Sequence, residues 1–78
     1  MLLNSQIKKI EQIGLKINGY TTIGNFTYDL KTNMNCRSRV HFSLCVRDDR
    51  TGEWTTLCTR ANFDTDFNKA LDHKRANQ

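Results

Sequence analysis

The side chains best suited to chemistry gather in the middle of the chain. Arg39, His41, Ser43, Cys45 and Arg47 alternate there with Val40, Phe42, Leu44 and Val46, and Trp54, Thr56, Cys58 and Arg60 follow. An alternation of period two puts the polar set on one face of a strand and the apolar set on the other. Tryptophan offers a large rigid surface and arginine a planar fork of five donors, and both are enriched among the residues that dominate protein interfaces. The pairing assigns Trp54, Arg39, Arg47, Arg60 and His41 to a partner-docking face. The same types suit nucleic acid, with bases stacking on the indole and guanidinium groups on phosphates, which would add Lys31 and Arg37 to Arg39, Arg47 and Arg60. The bland alternative is that Trp54 lies across the aliphatic stem of Arg47 or Arg60 and only shields the sheet.

Metal and catalytic chemistry are poorly served. His41, Cys45 and Cys58 are expected to share the outer face, but His41 and Cys45 would stand roughly 13 Å apart at about 3.3 Å per strand residue. Structural zinc needs four ligands and usually closely spaced cysteine pairs, so no metal and no cofactor are expected. Cys36 beside Arg37 is a labelling site more than a mechanism. His41 and His73 are far apart in sequence, no glycine-rich phosphate loop occurs, and Asp48, Asp49 and Glu53 cluster where Thr51-Gly52 marks a turn. The spacing of these acids does not match a calcium loop. The expectation is a protein without catalytic residues.

Elements to carry the central face are readable on both sides of it. Leu3, Ile7, Ile10, Ile13 and Ile17 form a stripe of helical period, with Asn4 or Ser5 as N-cap. Ile17 stays on that stripe, so the spacing favours a helix running to Asn18-Gly19. The alternative is a stop at Gly14 that frees residues 15–17 to pair as a short hairpin. From Tyr20 the period becomes two. Gly24-Asn25 is a two-residue turn that pairs residues 20–23 with 26–31, and 32–38 read as a loop. Residues 39–47 and 54–60 form the central hairpin. Placing Leu44 opposite Leu57, Val46 opposite Thr55, Phe42 opposite Thr59 and Val40 opposite Ala61 buries apolar groups on one side and leaves Trp54, Thr56, Cys58 and Arg60 outside. The last segment, with Asp64 or Thr65 as N-cap, has Phe63, Phe67, Ala70 and Leu71 at helical spacing, acids first and His73, Lys74 and Arg75 last, as the helix dipole favours. Residues 76–78 are expected to fray.

The order is helix, three- or four-stranded antiparallel meander, helix: one α+β domain over residues 1–78 with both helices on the face that carries Phe42 and Leu44. Each helix has one apolar stripe, so neither is left to cover the other face. This order resembles that of double-stranded RNA-binding domains, in topology alone. That family places lysines at the start of its last helix to grip phosphate, where this chain has Asp64-Thr65-Asp66, which would repel it.

Composition bounds what such a domain can do. With 78 residues, 37% of them hydrophobic, one small core is all the chain can build. No apolar run exceeds three residues, far short of a bilayer span or a signal-peptide core. Three cysteines without a C-x-x-C pair make no disulfide framework, so a cytoplasmic protein away from membranes is expected. The basic excess behind the net charge of +4 sits before the central turn, residues 1–47 holding seven basic side chains against two acidic and residues 48–78 five against six. That asymmetry permits a polyanionic partner. Size, basic tilt and lack of catalytic residues suit a docking protein: an inhibitor or adaptor of a nucleic-acid-handling machine, of the anti-CRISPR-like or anti-restriction-like kind that phages and mobile elements encode. Its expected partner is a larger protein or ribonucleoprotein. Direct DNA or RNA binding is the alternative, and homodimerisation through the uncovered sheet a third possibility.

Overall fold

Residues 4–33 and 41–78 are described by the structure, a computed structural model. Helix α1 spans Asn4–Gln12, strands β1 to β4 span Gly19–Ile23, Phe26–Asn33, His41–Asp48 and Glu53–Thr59, and helix α2 spans Phe63–Ala76. The strands form one antiparallel sheet in the order β1-β2-β3-β4, so the chain is an α+β meander with four strands. No described helix is long and apolar enough to cross a membrane.

Helix α1 is shorter than its apolar stripe. Gly14 takes a φ of +81°, a left-handed conformation that ends the helix, and the longer reading to Asn18 is overturned. Leu15, off the stripe, turns into the core at 7% exposure, while Ile17, on the stripe, is 38% exposed. Residues 15–17 form no hairpin strand either; the Lys16 N–H donates to the Thr21 hydroxyl at 3.0 Å. Asn18, also left-handed, donates its N–H to the Leu30 carbonyl, and its side-chain oxygen accepts from the Thr32 N–H at 2.8 Å. It thereby extends the ladder past the end of β1.

One sheet face carries Tyr28, Leu30, Phe42, Leu44, Val46 and Cys58, and these join Ile10, Ile13, Leu15, Phe63, Phe67 and Ala70 in a single buried cluster. Both helices therefore cover the same side. Gln6 donates to Asp64 at 2.6 Å near the helix starts, and the Lys74 ammonium donates to the Ile13 carbonyl near their ends, so α1 and α2 run in the same direction. Helix α2 begins at Phe63, earlier than an Asp64 or Thr65 cap allows. Asn62 precedes it, but its side-chain oxygen accepts from the Thr59 N–H and hydroxyl and holds the end of β4 instead. The far end is helical through Ala76, with Asn77 donating to the His73 carbonyl at 2.7 Å rather than fraying.

The β3–β4 register departs from a regular ladder. Val46 faces Thr55 as expected, but Leu44 faces Cys58 and Ser43 faces Thr59, with a shift between Leu44 and Cys45. Thr56 opposes Cys45, so Leu57 is the extra residue of a β-bulge. The bulge corrects two expectations: Cys58 lies in the core at 0% exposure, and Thr59, not Phe42's partner, sits outside with Ser43. It lets the sheet bury a small thiol against Leu44 while Leu57 stays half-buried against the core. Val40, expected opposite Ala61, lies outside the described residues.

Candidate functional site

The face away from the helices is laid out by register. Thr22, Thr27, Arg47 and Trp54 line up across the four strands; Tyr20, Asp29, Cys45 and Thr56 form the next row; Lys31, Ser43 and Thr59 form a third. Strands β1 and β4 are the two edges of the sheet, about 14 Å apart at roughly 4.8 Å per strand gap. Yet the Tyr20 and Trp54 rings stand 6.4 Å apart, tilted by 47°. They must lean inward from opposite edges. Between those edges Thr27 and Asp29 are buried, at 5% and 9% exposure, although neither α1 nor α2 covers this side. The rings themselves are open, Tyr20 at 63% and Trp54 at 45%.

Arg47 is fixed among them by three contacts. Its Nε donates to Asp49 at 3.0 Å, its Nη2 reaches the Thr27 hydroxyl at 3.5 Å, and its guanidinium carbon lies 5.5 Å from the centre of the Trp54 ring. Thr27 also donates to Asp49 and accepts from the Thr22 hydroxyl. The result is a Tyr-Trp-Arg surface whose arginine is held by a carboxylate on one side and an aromatic face on the other. The stacking of Trp54 on Arg47 matches the shielding geometry too, so the two uses of Trp54 must be separated by experiment.

Most described cations on or beside this face have carboxylate partners. Lys31 pairs with Asp29 at 3.3 Å, Arg47 with Asp49, and Arg50 with Asp48 at 3.2 Å. The Arg50 guanidinium and N–H hold the Asp48 carboxyl below the usual carboxylate range, and Asp48 raises Arg50 in return. Asp48 also accepts the Thr51 and Gly52 N–H groups on its carbonyl. Asp48 and Asp49 thus organise the turn and its arginines, which is a structural role.

The residues that the sequence grouped with Trp54 divide. Trp54 and Arg47 come together. His41 is exposed at the start of β3, six residues from Arg47, or roughly 20 Å along a strand. Arg60 follows β4, its N–H donating to the Phe42 carbonyl, and the bulge takes it out of phase with Trp54 and Thr56. Arg37, Arg39 and Cys36 lie outside the described residues. Tyr20 was not among the expected site residues, although its signal was present: the two-residue turn at Gly24-Asn25 fixes Ile23 opposite Phe26, and counting back puts Tyr20 beside Asp29 on the outer face.

Other chemistry is dispersed. Cys58 faces the core, away from His41 and Cys45, and no three metal-ligating side chains meet among the described residues. Burial, with a smaller contribution from Asp66, pushes the Cys58 thiol up to about 11. His73 lies on the helix side, its Nδ1 2.6 Å from the Tyr28 hydroxyl and its ring edge-on to Phe26. Burial raises the Tyr28 phenol above its ordinary value. No family model, no curated protein and no solved structure matches the chain.

Proposed function

We propose that the chain is a binding domain, not an enzyme, and that it docks on a larger protein through the helix-free face centred on Tyr20, Trp54 and Arg47. One observation carries this reading: two exposed aromatic rings from opposite sheet edges meet beside an arginine that Asp49 and the indole hold in place. Rigid aromatics and a preorganised guanidinium lose little entropy on binding, which is why such groups dominate interface energetics. The neutralised Lys31 and Arg47 favour protein over nucleic acid at this surface. A phosphate-gripping surface works by releasing counterions from unpaired lysines and arginines, whereas Lys31 and Arg47 each have a carboxylate within 3.3 Å. A domain of this size acts by occupying a surface of its partner, as an inhibitor or adaptor does.

The test compares affinity capture from the source cells by the wild-type chain, Trp54→Ala and Tyr20→Ala, each checked for intact fold by circular dichroism. A protein retained by wild type and weakened about 30-fold or more by Trp54→Ala is the expected result for an interface centre. Equal recovery by all three chains overturns the reading. Anisotropy titrations with random DNA and RNA at about 50 and 200 mM salt run beside it; micromolar binding that collapses at the higher salt would transfer the face to nucleic acid.

A further inference from the structure

A cleft of about 680 Å³ opens at the opposite end of the sheet from the β3–β4 turn, where β2 ends and β3 begins. Lys31, Thr32, His41, Ser43 and Arg60 line it, with Asn18 beside them, and no carboxylate does among the described residues. Its donors are largely unused. Half-buried Arg60 and exposed His41 have no side-chain hydrogen-bond or ion-pair partner among the described residues, unlike the paired Arg47 and Arg50. Thr32 is 7% exposed, and its hydroxyl is buried without a hydrogen-bond partner among the described residues. A buried hydroxyl left unpaired costs free energy that a bound acceptor would recover. Lys31 adds a cation that Asp29 partly offsets.

We propose that this cleft binds a small molecule through an oxyanion group, a phosphate or carboxylate, held by the Arg60 guanidinium and the Thr32 hydroxyl with Lys31 and His41 at the rim. A planar guanidinium matches two oxygens of such a group at once, and the hydroxyl supplies a further donor. The site is separate from the Tyr20–Trp54 surface and does not rest on the docking reading.

The experiment is a titration of the ¹⁵N-labelled full chain with inorganic phosphate, acetate and AMP, read by amide shifts. Saturable shifts at Thr32, His41, Thr59 and Arg60 with a dissociation constant at or below about 10 mM are expected. Arg60→Gln should weaken phosphate about tenfold or more, as loss of a charged hydrogen-bonding partner does. Thr32→Val should weaken it about threefold or more, while its own Tm without ligand stays at or above wild type because the unpaired hydroxyl is gone. Acetate binding at the same amides would assign the group as a carboxylate-or-phosphate receptor, and phosphate alone would narrow it to phosphate. Shifts that never saturate, shifts spread equally over Lys8, Lys9 and Lys16, or wild-type affinity in both variants would overturn the proposal. So would a ten-nucleotide RNA that binds about 100-fold tighter than AMP, since the anion would then belong to a nucleic-acid chain. Trp54→Ala should bind phosphate like wild type, so this site and the docking face fail independently.

Discussion

The Cys58 thiol has no exposed surface and lies opposite Leu44, so ionising it in the folded chain means placing a charge in the core. The folded pKa rises from 9.0 to about 11, chiefly through burial. In the unfolded chain the proton leaves near 9.0, so the folded state binds it more tightly through that interval. Stability linked to this group is therefore complete below about pH 9 and lost as pH climbs through 11, by on the order of 2–3 kcal/mol. Cys58→Ala has no proton to lose. Urea denaturation of both chains from pH 7 to 11 should show the wild type losing ground to the variant above pH 9; Tyr28 titrates in both and cancels. A stability difference that is constant with pH would mean that the thiol is not buried as described. Cys45, half-buried on the outer face, should react with a thiol reagent well before Cys58.

At the scale of elements, Gly14 decides where α1 ends. Its φ of +81° strains any side chain, and a Cβ added there would come within 3.0 Å of the Lys74 ammonium that bonds the Ile13 carbonyl. Gly14→Ala should cost about 1–2 kcal/mol, seen as a lower urea midpoint with the slope unchanged. A neutral outcome would mean that the helix end is free to shift. The same glycine marks how far this fold was legible in advance. Period-two alternation placed β3, a run of β-forming residues after a turn placed β4, and Gly24-Asn25 placed the β1–β2 turn, because those patterns depend on neighbours along the chain. Ile17 misled, since it keeps helical spacing after the helix has ended and is largely exposed, whereas Leu15 breaks the spacing and is buried. The bulge at Leu57 was hidden for a different reason. Leu57 and Cys58 are both apolar, and only the packing of Leu44 against a small thiol chooses between them. Of the candidate site, Trp54 and Arg47 were legible from residue type and phase. Arg60 was not, because its phase is set by that bulge, and Tyr20 required the β1–β2 register to be carried across to the opposite edge.

At the scale of the whole molecule, the core and the proposed docking surface lie on opposite sides of one sheet, and this separates what holds the chain together from what it presents. Phe63 is 2% exposed, stacks on Phe67 at 4.5 Å and meets Phe42 edge-on at 5.3 Å. Phe63→Ala should cost about 3–5 kcal/mol, which approaches the entire stability of a domain this small, so the variant should be largely unfolded by far-ultraviolet circular dichroism. Trp54 is on the other side and 45% exposed, and among the described rings and cations it packs against Arg47 and Tyr20. Its truncation removes one cation–π contact and part of an aromatic pair, together about 1–2 kcal/mol. Trp54→Ala should therefore keep a cooperative unfolding transition close to that of wild type while partner binding is lost. The comparison decides between the two roles the geometry allows for this residue. If Trp54→Ala unfolds as readily as Phe63→Ala, the indole is a roof over Thr27 and Asp29, and the proposed docking role of this residue fails.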